Sequence, residues 1–358
     1  MLLPVELIEK IYLYLRNKDV ISFSLACKLH REVLINSPFL KGLISLNTWN
    51  YEIFIFNLPT KLFRVYLNDT VITDDGLMCF HGVHTIYLSN TTITDDGLKY
   101  LAGVHTIYLN NTIITDDGLR YLSGVHTISL ENTSITDDGL RYLVGVHTIH
   151  LLNTRITDDG LRYLKGVHTI SLEGTRITDD GLRHIKGVHT VSLSGTNITD
   201  DGLQYFSRSA SGVEGVHTIY LDHTKVTDNG LRYLQGVYSI NLSGTNITDD
   251  GLQYFQGVHN IQLWGTRVTD VGLQYLKGVH TINLGYTRIT DVGLQYFSPK
   301  ARKAGGENGV YDIQLWGTKV TDTGIRHLKG VHTIDLYCTK VTELGKDFLR
   351  KNGAVNIV

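Results

Sequence analysis

Aspartate pairs recur along this sequence at a spacing that could do chemistry. Adjacent carboxylates such as Asp95-Asp96 and Asp116-Asp117 return every 21 residues, and two close carboxyl groups can act together as a catalytic acid and base. Each pair, however, falls where a helix is predicted to begin, and short acidic side chains are favoured there as caps and as partners of the helix dipole. The recurrence therefore predicts a structural role for the aspartates.

Histidines form a second row of this kind. Ten of the sixteen histidines, from His84 to His332, occupy one fixed place in the 21-residue period, so on adjacent strands their rings would stack about 5 Å apart. Imidazole is a common metal ligand, but no carboxylate or thiol completes a site at this place. We interpret the row as a ladder of like side chains that becomes charged below about pH 6, and we predict no metal site.

Other catalytic signatures are missing from the sequence. It contains no phosphate-binding Gly-Lys-Ser/Thr loop, no H-E-x-x-H motif and no C-x-x-C pair. We therefore predict that the protein is not an enzyme, and that it has no catalytic residue and no cofactor.

One unit of 21 residues recurs thirteen times, from residue 62 almost to the C-terminus. In the unit that begins at Val104, apolar residues at positions 1, 4, 6 and 11 bracket a short alternating run, Thr106 to Asn110, which is typical of a short strand. Thr115-Asp116-Asp117 follows and can cap a helix. Leu119 and Leu122, three residues apart, then predict a helix of about two turns. Positions below are numbered from the first apolar residue of each unit.

The apolar spacing of the unit resembles the leucine-rich-repeat pattern, L-x-x-L-x-L-x-x-N-x-L, with threonine in the asparagine position, as at Thr112, Thr133 and Thr154. One unit cannot bury its apolar side alone and is stable only when stacked on neighbours. The resemblance implies an α/β solenoid, a leucine-rich-repeat horseshoe of about 13 repeats with a concave sheet face. Twelve strand-to-strand steps of about 4.8 Å would make that face about 60 Å long, which suits the binding of another protein.

Charge and composition favour neither nucleic acid nor membrane as a partner. The formal net charge is −2, and the basic residues at position 10 are offset by the aspartate rows. Three cysteines lie far apart in sequence, which suits a reducing compartment. Glu6 and Glu9 interrupt the first apolar residues, which argues against a signal peptide, and no apolar run approaches the about 20 residues of a membrane span. We expect a cytoplasmic protein, with a nuclear location left open.

Residues 1–40 do not belong to the repeat and predict a small all-helical module. Pro4 is placed at a helix start, an apolar stripe follows it, and Asp19 can cap a second helix. These residues resemble the F-box, whose Leu-Pro-x-Glu-Leu motif and later spacings are matched. The matching residues are Leu3, Pro4, Glu6, Leu7, Ile11, Leu15, Asp19, Cys27 and Lys28. The chain departs from the family at His30, where tryptophan is usual.

The F-box resemblance implies a partner. In that family the module docks on a Skp-type adaptor and so joins a cullin-based ubiquitin ligase. The adaptor contact would then come from Leu3, Pro4, Leu7, Ile11 and Leu15. A helical cap that shields the first repeat is the alternative role, and both roles can hold together. Proteins of this kind also occur in giant DNA viruses, for which the location would be the host-cell cytoplasm.

The chain is expected to have four parts. The F-box-like module spans residues 1–40, and residues 41–61 form a degenerate capping repeat or linker with an aromatic-rich run. Leucine-rich repeats fill residues 62–353, with insertions at 208–214 and 299–308, and a terminal strand spans 354–358. The second insertion is basic and glycine-rich, and a tolerated surface loop explains it better than a partner contact.

Recognition residues are expected where the repeats differ on the exposed sheet face, at positions 5, 7, 8 and 10. Aromatic residues at these positions offer large contact areas at low entropic cost. Bases occupy position 10 near one aromatic group, while the acidic residue of position 14 is replaced there by Val271, Val292 and Thr323. The predicted partner-binding residues are Trp264, Tyr286, Trp316, Tyr337, Arg267, Arg288, Lys319, Tyr66, Tyr87 and Tyr108. Drift among exposed residues is the competing explanation.

Taken together, these features predict a substrate-recognition subunit of an SCF-type E3 ubiquitin ligase. The repeats would hold an unknown target protein near a ubiquitin-charged enzyme and so raise its effective concentration. The alternative is a non-catalytic leucine-rich-repeat scaffold or decoy that binds a protein partner without ligase coupling.

Overall fold

A computed structural model describes residues 64–208, 215–298 and 310–358 of the chain. The predicted F-box-like module, with its adaptor-binding residues Leu3, Pro4, Leu7, Ile11 and Leu15, lies outside the described residues. The same holds for the linker at 41–61 and for nearly all of both insertions. The chain divides into two compact units, Met1–Val167 and His168–Val358.

Each repeat contributes one short strand to a parallel sheet. In the first unit the strands are β1 (Arg64–Tyr66), β2 (Thr85–Tyr87), β3 (Thr106–Tyr108), β4 (Thr127–Ser129) and β5 (Thr148–His150). In the second unit they are β6 (Thr169–Ser171), β7 (Thr190–Ser192), β8 (Thr218–Tyr220), β9 (Ser239–Asn241), β10 (Asn260–Gln262), β11 (Thr281–Asn283), β12 (Asp312–Gln314), β13 (Thr333–Asp335) and β14 (Asn356–Ile357). Equal positions face each other, as Ile86 faces Ile107.

The core of each unit is built from the same six positions of successive repeats, except that the last repeat has Lys346 at one of them. In a strand, successive side chains point to opposite faces, so the central residue points inward and its two neighbours point to the other face of the sheet. In the repeat that begins at Val104, the inward residues are at most 3% exposed; they are Val104, Ile107, Leu109, Ile114, Leu119 and Leu122. The predicted inward orientation of these side chains is confirmed.

A short helical segment returns the chain from each strand to the next. In most repeats it is one turn of α-helix followed by one turn of 3₁₀-helix, as in Asp116–Leu119 and Arg120–Leu122. The α-helical turns are Asp74–Leu77, Asp95–Leu98, Asp116–Leu119, Asp137–Leu140, Asp158–Leu161, Asp179–Leu182, Asp200–Leu203, Asp228–Leu231 and Asp291–Leu294. Gly124 ends its segment with a φ of 84°, a conformation that glycine adopts without steric cost.

The remaining helical segments differ in type. The 3₁₀ turns that follow α-helical turns are Met78–Phe80, Lys99–Leu101, Arg120–Leu122, Arg141–Leu143, Arg162–Leu164, Arg183–Ile185, Gln204–Phe206, Arg232–Leu234 and Gln295–Phe297. Three repeats have only 3₁₀-helix, at Gly251–Phe255, Gly272–Leu276 and Gly324–His327. The last segment, Glu343–Lys351, is a regular α-helix of nine residues. In the ranges that the structure describes, no helix is long and apolar enough to cross a membrane.

The first aspartate of a pair joins its repeat to the next one. This role differs from the helix cap that the sequence predicted for it. Asp74 accepts the backbone N–H of Thr94 at 2.8 Å and its hydroxyl at 2.6 Å. The helix cap is Thr94 instead, because its hydroxyl oxygen accepts a hydrogen bond from the backbone N–H of Asp96 at 3.3 Å. We call the two-bond contact the aspartate–threonine bridge. It recurs along both units and also closes across the two insertions, where Asp200 holds Thr227 and Asp291 holds Thr321.

The glycine of each Asp-Asp-Gly-Leu motif makes room for this bridge. A Cβ atom on Gly97 would lie 2.5 Å from Oδ1 of Asp74 and 2.9 Å from Cδ1 of Leu77 in the preceding repeat. Any side chain at this position would therefore push the two repeats apart. The motif is a docking element between repeats as well as a helix start.

Threonine occupies the usual asparagine position of the leucine-rich repeat. Its hydroxyl forms a hydrogen bond within its own repeat. Thr112 is 6% exposed, and its hydroxyl donates to the carbonyl oxygen of Leu109 at 2.6 Å. The same bond recurs at Thr133 and Thr154. A buried hydroxyl is thereby satisfied without a partner in the next repeat.

The bridge predicts unequal effects for the two aspartates of one pair. Asp116 accepts both bonds from Thr136, so Asp116→Ala should lower the free energy of unfolding by about 1–3 kcal/mol. Asp117 is exposed, and Asp117→Ala is the matched control, expected to change stability by less than about 0.5 kcal/mol. Urea unfolding followed by circular dichroism measures both. Equal losses for the two variants would contradict the assignment.

Candidate protein-binding face

Two groups of predicted recognition residues lie on the sheet face opposite the core, one in each unit. Positions 3 and 5 flank the inward residue of each strand and point to this face, and positions 7 and 8 follow directly after the strand. Positions 5 and 7 vary from repeat to repeat, because their side chains do not have to fit between neighbouring repeats.

In the first unit three tyrosines form a continuous stack. The ring centroids of Tyr66 and Tyr87 lie 4.4 Å apart, and those of Tyr87 and Tyr108 lie 4.6 Å apart with nearly parallel planes. Burial in the stack, followed by the neighbouring phenols of Tyr108 and Tyr66, raises the pKa of Tyr87. The predicted grouping of these three residues is thus present, although the rings cover much of each other's faces.

In the second unit three aromatic side chains from successive repeats form one cluster. Trp264 and Trp316 lie 6.0 Å apart with planes 20° from parallel. Tyr286 stands almost perpendicular to both, at 6.3 Å from Trp264 and 4.8 Å from Trp316. Such edge-to-face packing is favourable for aromatic rings. Tyr286 remains 56% exposed, so the cluster presents aromatic surface to solvent.

A glycine at position 7 allows the two tryptophans to meet. Gly285 lies in the repeat between them, and a Cβ atom there would be 2.5 Å from Nε1 of Trp316. The indole of Trp316 therefore lies directly over the backbone of the intervening repeat. Nε1 of Trp264 is buried and has no hydrogen-bond partner among the described residues.

Position 8 shows that the cluster is held at a conformational cost. Its backbone is left-handed in both units, and most repeats place asparagine or glycine there, the residues that tolerate this region best. Tyr286 adopts φ 53° and His223 adopts φ 57°. Bulky residues in this region are uncommon and typically mark functional sites. Tyr286 and His223 therefore hold a backbone conformation that their side chains adopt less readily than asparagine or glycine would.

His223 belongs to the cluster and was missed by the sequence analysis. Its ring lies 6.1 Å from that of Trp264 in an edge-to-face arrangement. The signal that could have found it is the departure from asparagine or glycine at position 8, which Tyr286 shares.

The other predicted residues of the second unit are exposed but stay outside the ring cluster. Tyr337 is 68% exposed, and no aromatic contact joins it to Trp316 in the part of the chain that the structure describes. Arg267, Arg288 and Lys319 are exposed in successive repeats at position 10. Within the described ranges none of the three makes an ion pair, so all three charges are available at the border of the face.

The histidine row forms the predicted ladder in each unit. In the first unit the rings of His84, His105, His126 and His147 stack at 4.4–4.5 Å. In the second unit Tyr238 and Tyr311 replace histidine at the same position and continue the stack. Nδ1 of His126 lies 3.1 Å from the hydroxyl of Thr127. No three histidine, cysteine, aspartate or glutamate side chains of the described residues converge as a metal site would require.

Comparison with known proteins identifies the fold of the repeats. A family model described as Leucine Rich repeat matches residues 188–207 and 239–255, and no curated protein sequence matches the chain. The chain is similar to an internalin, inlF of Listeria monocytogenes, with a TM-score of 0.61 and 18% identity over 83% of this chain and 86% of the internalin.

Two further solved structures are similar. The leucine-rich-repeat protein LIC12759 of Leptospira interrogans has a TM-score of 0.51 and 14% identity over 86% of this chain and 80% of that one. The TLR13 chain of a TLR13-ssRNA13 complex has a TM-score of 0.55 and 12% identity over 83% of this chain and 53% of its own length. The repeats of both units thus have the leucine-rich-repeat fold, and the predicted fold class is confirmed.

The ladder predicts that acid destabilises the protein. Partial desolvation in the stack, and then the neighbouring His105 and His147, lower the pKa of His126 below its ordinary 6.5. The unfolded chain therefore binds the proton more tightly, and stability is lost as the pH falls below 6.5. The melting temperature should drop between about pH 7.5 and about pH 5.5.

Tyrosine supplies the matched control for this pH dependence, because it already occupies the same position twice without breaking the stack. Replacing His105, His126 and His147 together by tyrosine should reduce the acid-induced drop. A wild-type melting temperature that does not change with pH would rule the mechanism out.

Proposed function

We propose that this protein is a non-catalytic substrate-recognition subunit of an SCF-type ubiquitin ligase. The repeats bind a target protein, and the F-box-like segment at residues 1–40 docks on a Skp-type adaptor and through it on a cullin. The observation that carries the proposal is the aromatic cluster of Trp264, Tyr286 and Trp316. The cluster lies on the sheet face opposite the core, whereas the positions that form the core hardly vary between repeats.

The aromatic cluster is suited to a protein partner for physical reasons. Tryptophan and tyrosine dominate the energetics of protein interfaces because they bury large areas and lose few rotamers. A Tyr286 backbone held in the left-handed region costs of order 1 kcal/mol, which no packing need of the repeat explains. The exposed bases Arg267, Arg288 and Lys319 form a polar border, as a rim does around an interface core.

The ligase half of the proposal rests on the sequence of residues 1–40. The spacing of Leu3, Pro4, Leu7, Ile11 and Leu15 resembles the adaptor-binding part of the F-box. Coupled to the adaptor, the repeats would raise the effective concentration of the target near the ubiquitin-charged enzyme. Without this coupling the same repeats would act as a scaffold or decoy, and the experiment below separates these roles.

Proximity labelling in cells with the full-length chain fused to a labelling enzyme tests both halves at once. The wild type should label a Skp-type adaptor, and Leu7→Asp/Ile11→Asp should lose that label by about tenfold or more, because a charge opposes burial of the apolar stripe. Lys10→Asp is the matched control: it places the same new charge on a polar position of the segment. Equal adaptor labelling by wild type and the double variant would refute the ligase role.

The same experiment addresses the target. Trp264→Ala/Trp316→Ala should lose labelled target proteins while keeping the adaptor, because the target surface is removed and residues 1–40 are unchanged. Tyr254→Ala/Tyr275→Ala removes two aromatic rings from the helical side of the same unit and should retain the targets. A target list unaffected by the tryptophan substitutions would show that the cluster is not the binding site.

A further inference from the structure

The sheet face of the second unit is acidic as well as aromatic. At positions 3, 5 and 7, its repeats carry four carboxylates and no lysine or arginine. The carboxylates are Glu173, Asp222, Asp312 and Asp335. Among the described residues of this unit the bases lie instead at position 10 and on the helical side, away from the centre of the face.

None of these four carboxylates has a cationic partner among the described residues. Among the described residues, ion pairs occur only within the helix Glu343–Lys351. Glu173 accepts a hydroxyl from Ser192 at 2.5 Å, and Asp222 accepts from Ser194 at 2.6 Å and from Asn241 at 2.9 Å. Neutral donors orient these groups and leave their negative charge uncompensated.

Asp312 lies in the same repeat as Trp316, and Asp335 lies in the next repeat. Asp335 accepts the backbone N–H of Tyr337 at 2.9 Å. Oδ1 of Asp312 is buried and has no hydrogen-bond partner in the described part of the chain. A buried carboxylate oxygen without a donor is unfavourable, so Asp312 adds a carboxylate whose hydrogen bonds are incomplete within the described residues.

Carboxylates lie on both sides of the aromatic cluster, over a distance that matches a short peptide. Asp222 follows β8, the tryptophans follow β10 and β12, and Asp335 ends β13. Five strand-to-strand steps of about 4.8 Å separate β8 from β13, or about 24 Å. An extended chain covers this distance with about seven residues.

We propose that the occupant of this face is an extended protein segment with arginines spaced between uncharged residues. This inference rests on the proposed target-binding role and specifies its partner. A guanidinium stacks on the face of tryptophan or tyrosine and binds a carboxylate through two parallel hydrogen bonds. Arg267, Arg288 and Lys319 border the face and repel continuous positive charge, which selects spaced arginines over an unbroken basic run.

Fluorescence anisotropy with a labelled peptide tests this inference on the full-length chain. The probe is fluorescein-labelled Arg-Gly-Tyr-Gly-Arg-Gly-Tyr-Gly-Arg, compared with the same peptide carrying glutamate in place of arginine. The arginine peptide should bind more tightly. Asp222→Asn/Asp335→Asn should weaken it by about tenfold, because two opposite charges are removed at the ends of the face.

The matched control is Asp180→Asn/Asp201→Asn, which removes two exposed carboxylates from the helical side of the same unit. This control should bind the arginine peptide like the wild type. Equal weakening in both double variants would mean attraction to overall charge and would overturn the inference, as would tighter binding of the glutamate peptide or no binding of either. These outcomes leave the proposed function standing if target labelling still depends on Trp264 and Trp316.

Discussion

The two-bond contact between an aspartate and the threonine twenty residues later is the interaction on which the arrangement of the repeats depends. A carboxylate such as Asp95 receives both the backbone N–H and the hydroxyl of Thr115, so it fixes the position and the orientation of the next helical turn. The glycine of the same motif lets the two turns approach closely enough for these bonds to form. Because the bridge recurs between successive repeats within each unit, it fixes how those repeats stack, and the two insertions lie in the sequence between a bridged aspartate and its threonine.

Because these bridges and the core fix the repeats, the side chains on the sheet face opposite the core are not needed to hold the repeats together. Positions 1, 4 and 6 must fill the core of every repeat, whereas positions 5, 7 and 8 point away from it. The face can therefore carry tyrosines in one unit and a tryptophan, tyrosine and carboxylate pattern in the other without changing the fold. The left-handed backbone of Tyr286 is unfavourable, and so is an Asp312 oxygen that has no donor among the described residues. Costs of this kind are understandable on a surface that acts by binding.

Sequence predicted the strands, the core positions and the histidine ladder because each depends on the period alone. Ile107 and Leu109 are buried in the repeat at Val104 for the same local reason as their equivalents elsewhere. The role of the first aspartate could not be predicted, because a helix cap and a bridge to the next repeat need the same residue at the same place. The structure is needed to show that the carboxylate of Asp116 accepts a hydrogen bond from the hydroxyl of Thr136 in the next repeat.

The candidate site was predicted in part. Trp264 and Trp316 were grouped from their shared position, but their contact depends on Gly285, whose importance lies in the side chain it lacks. His223 and the carboxylates of the face were not predicted. His223 is marked in the sequence only by its departure from asparagine or glycine at position 8, whereas the carboxylates matter because they have no cationic partner among the described residues, which a sequence does not record. The adaptor-binding residues remain a prediction, since they lie outside the described residues.

A double-mutant cycle across one bridge tests the central claim most directly. Asp249 accepts hydrogen bonds from the backbone N–H of Thr269 at 2.8 Å and from its hydroxyl at 2.6 Å. This bridge joins the repeat of Asp249 to the repeat that carries Trp264. Urea unfolding of Asp249→Ala, Thr269→Val and the double variant should give a coupling energy of about 1 kcal/mol or more, because the second change has no hydroxyl contact left to remove. Additive losses, with a coupling energy below about 0.3 kcal/mol, would show that the repeats are held together by apolar stacking and that the bridge does not set their register.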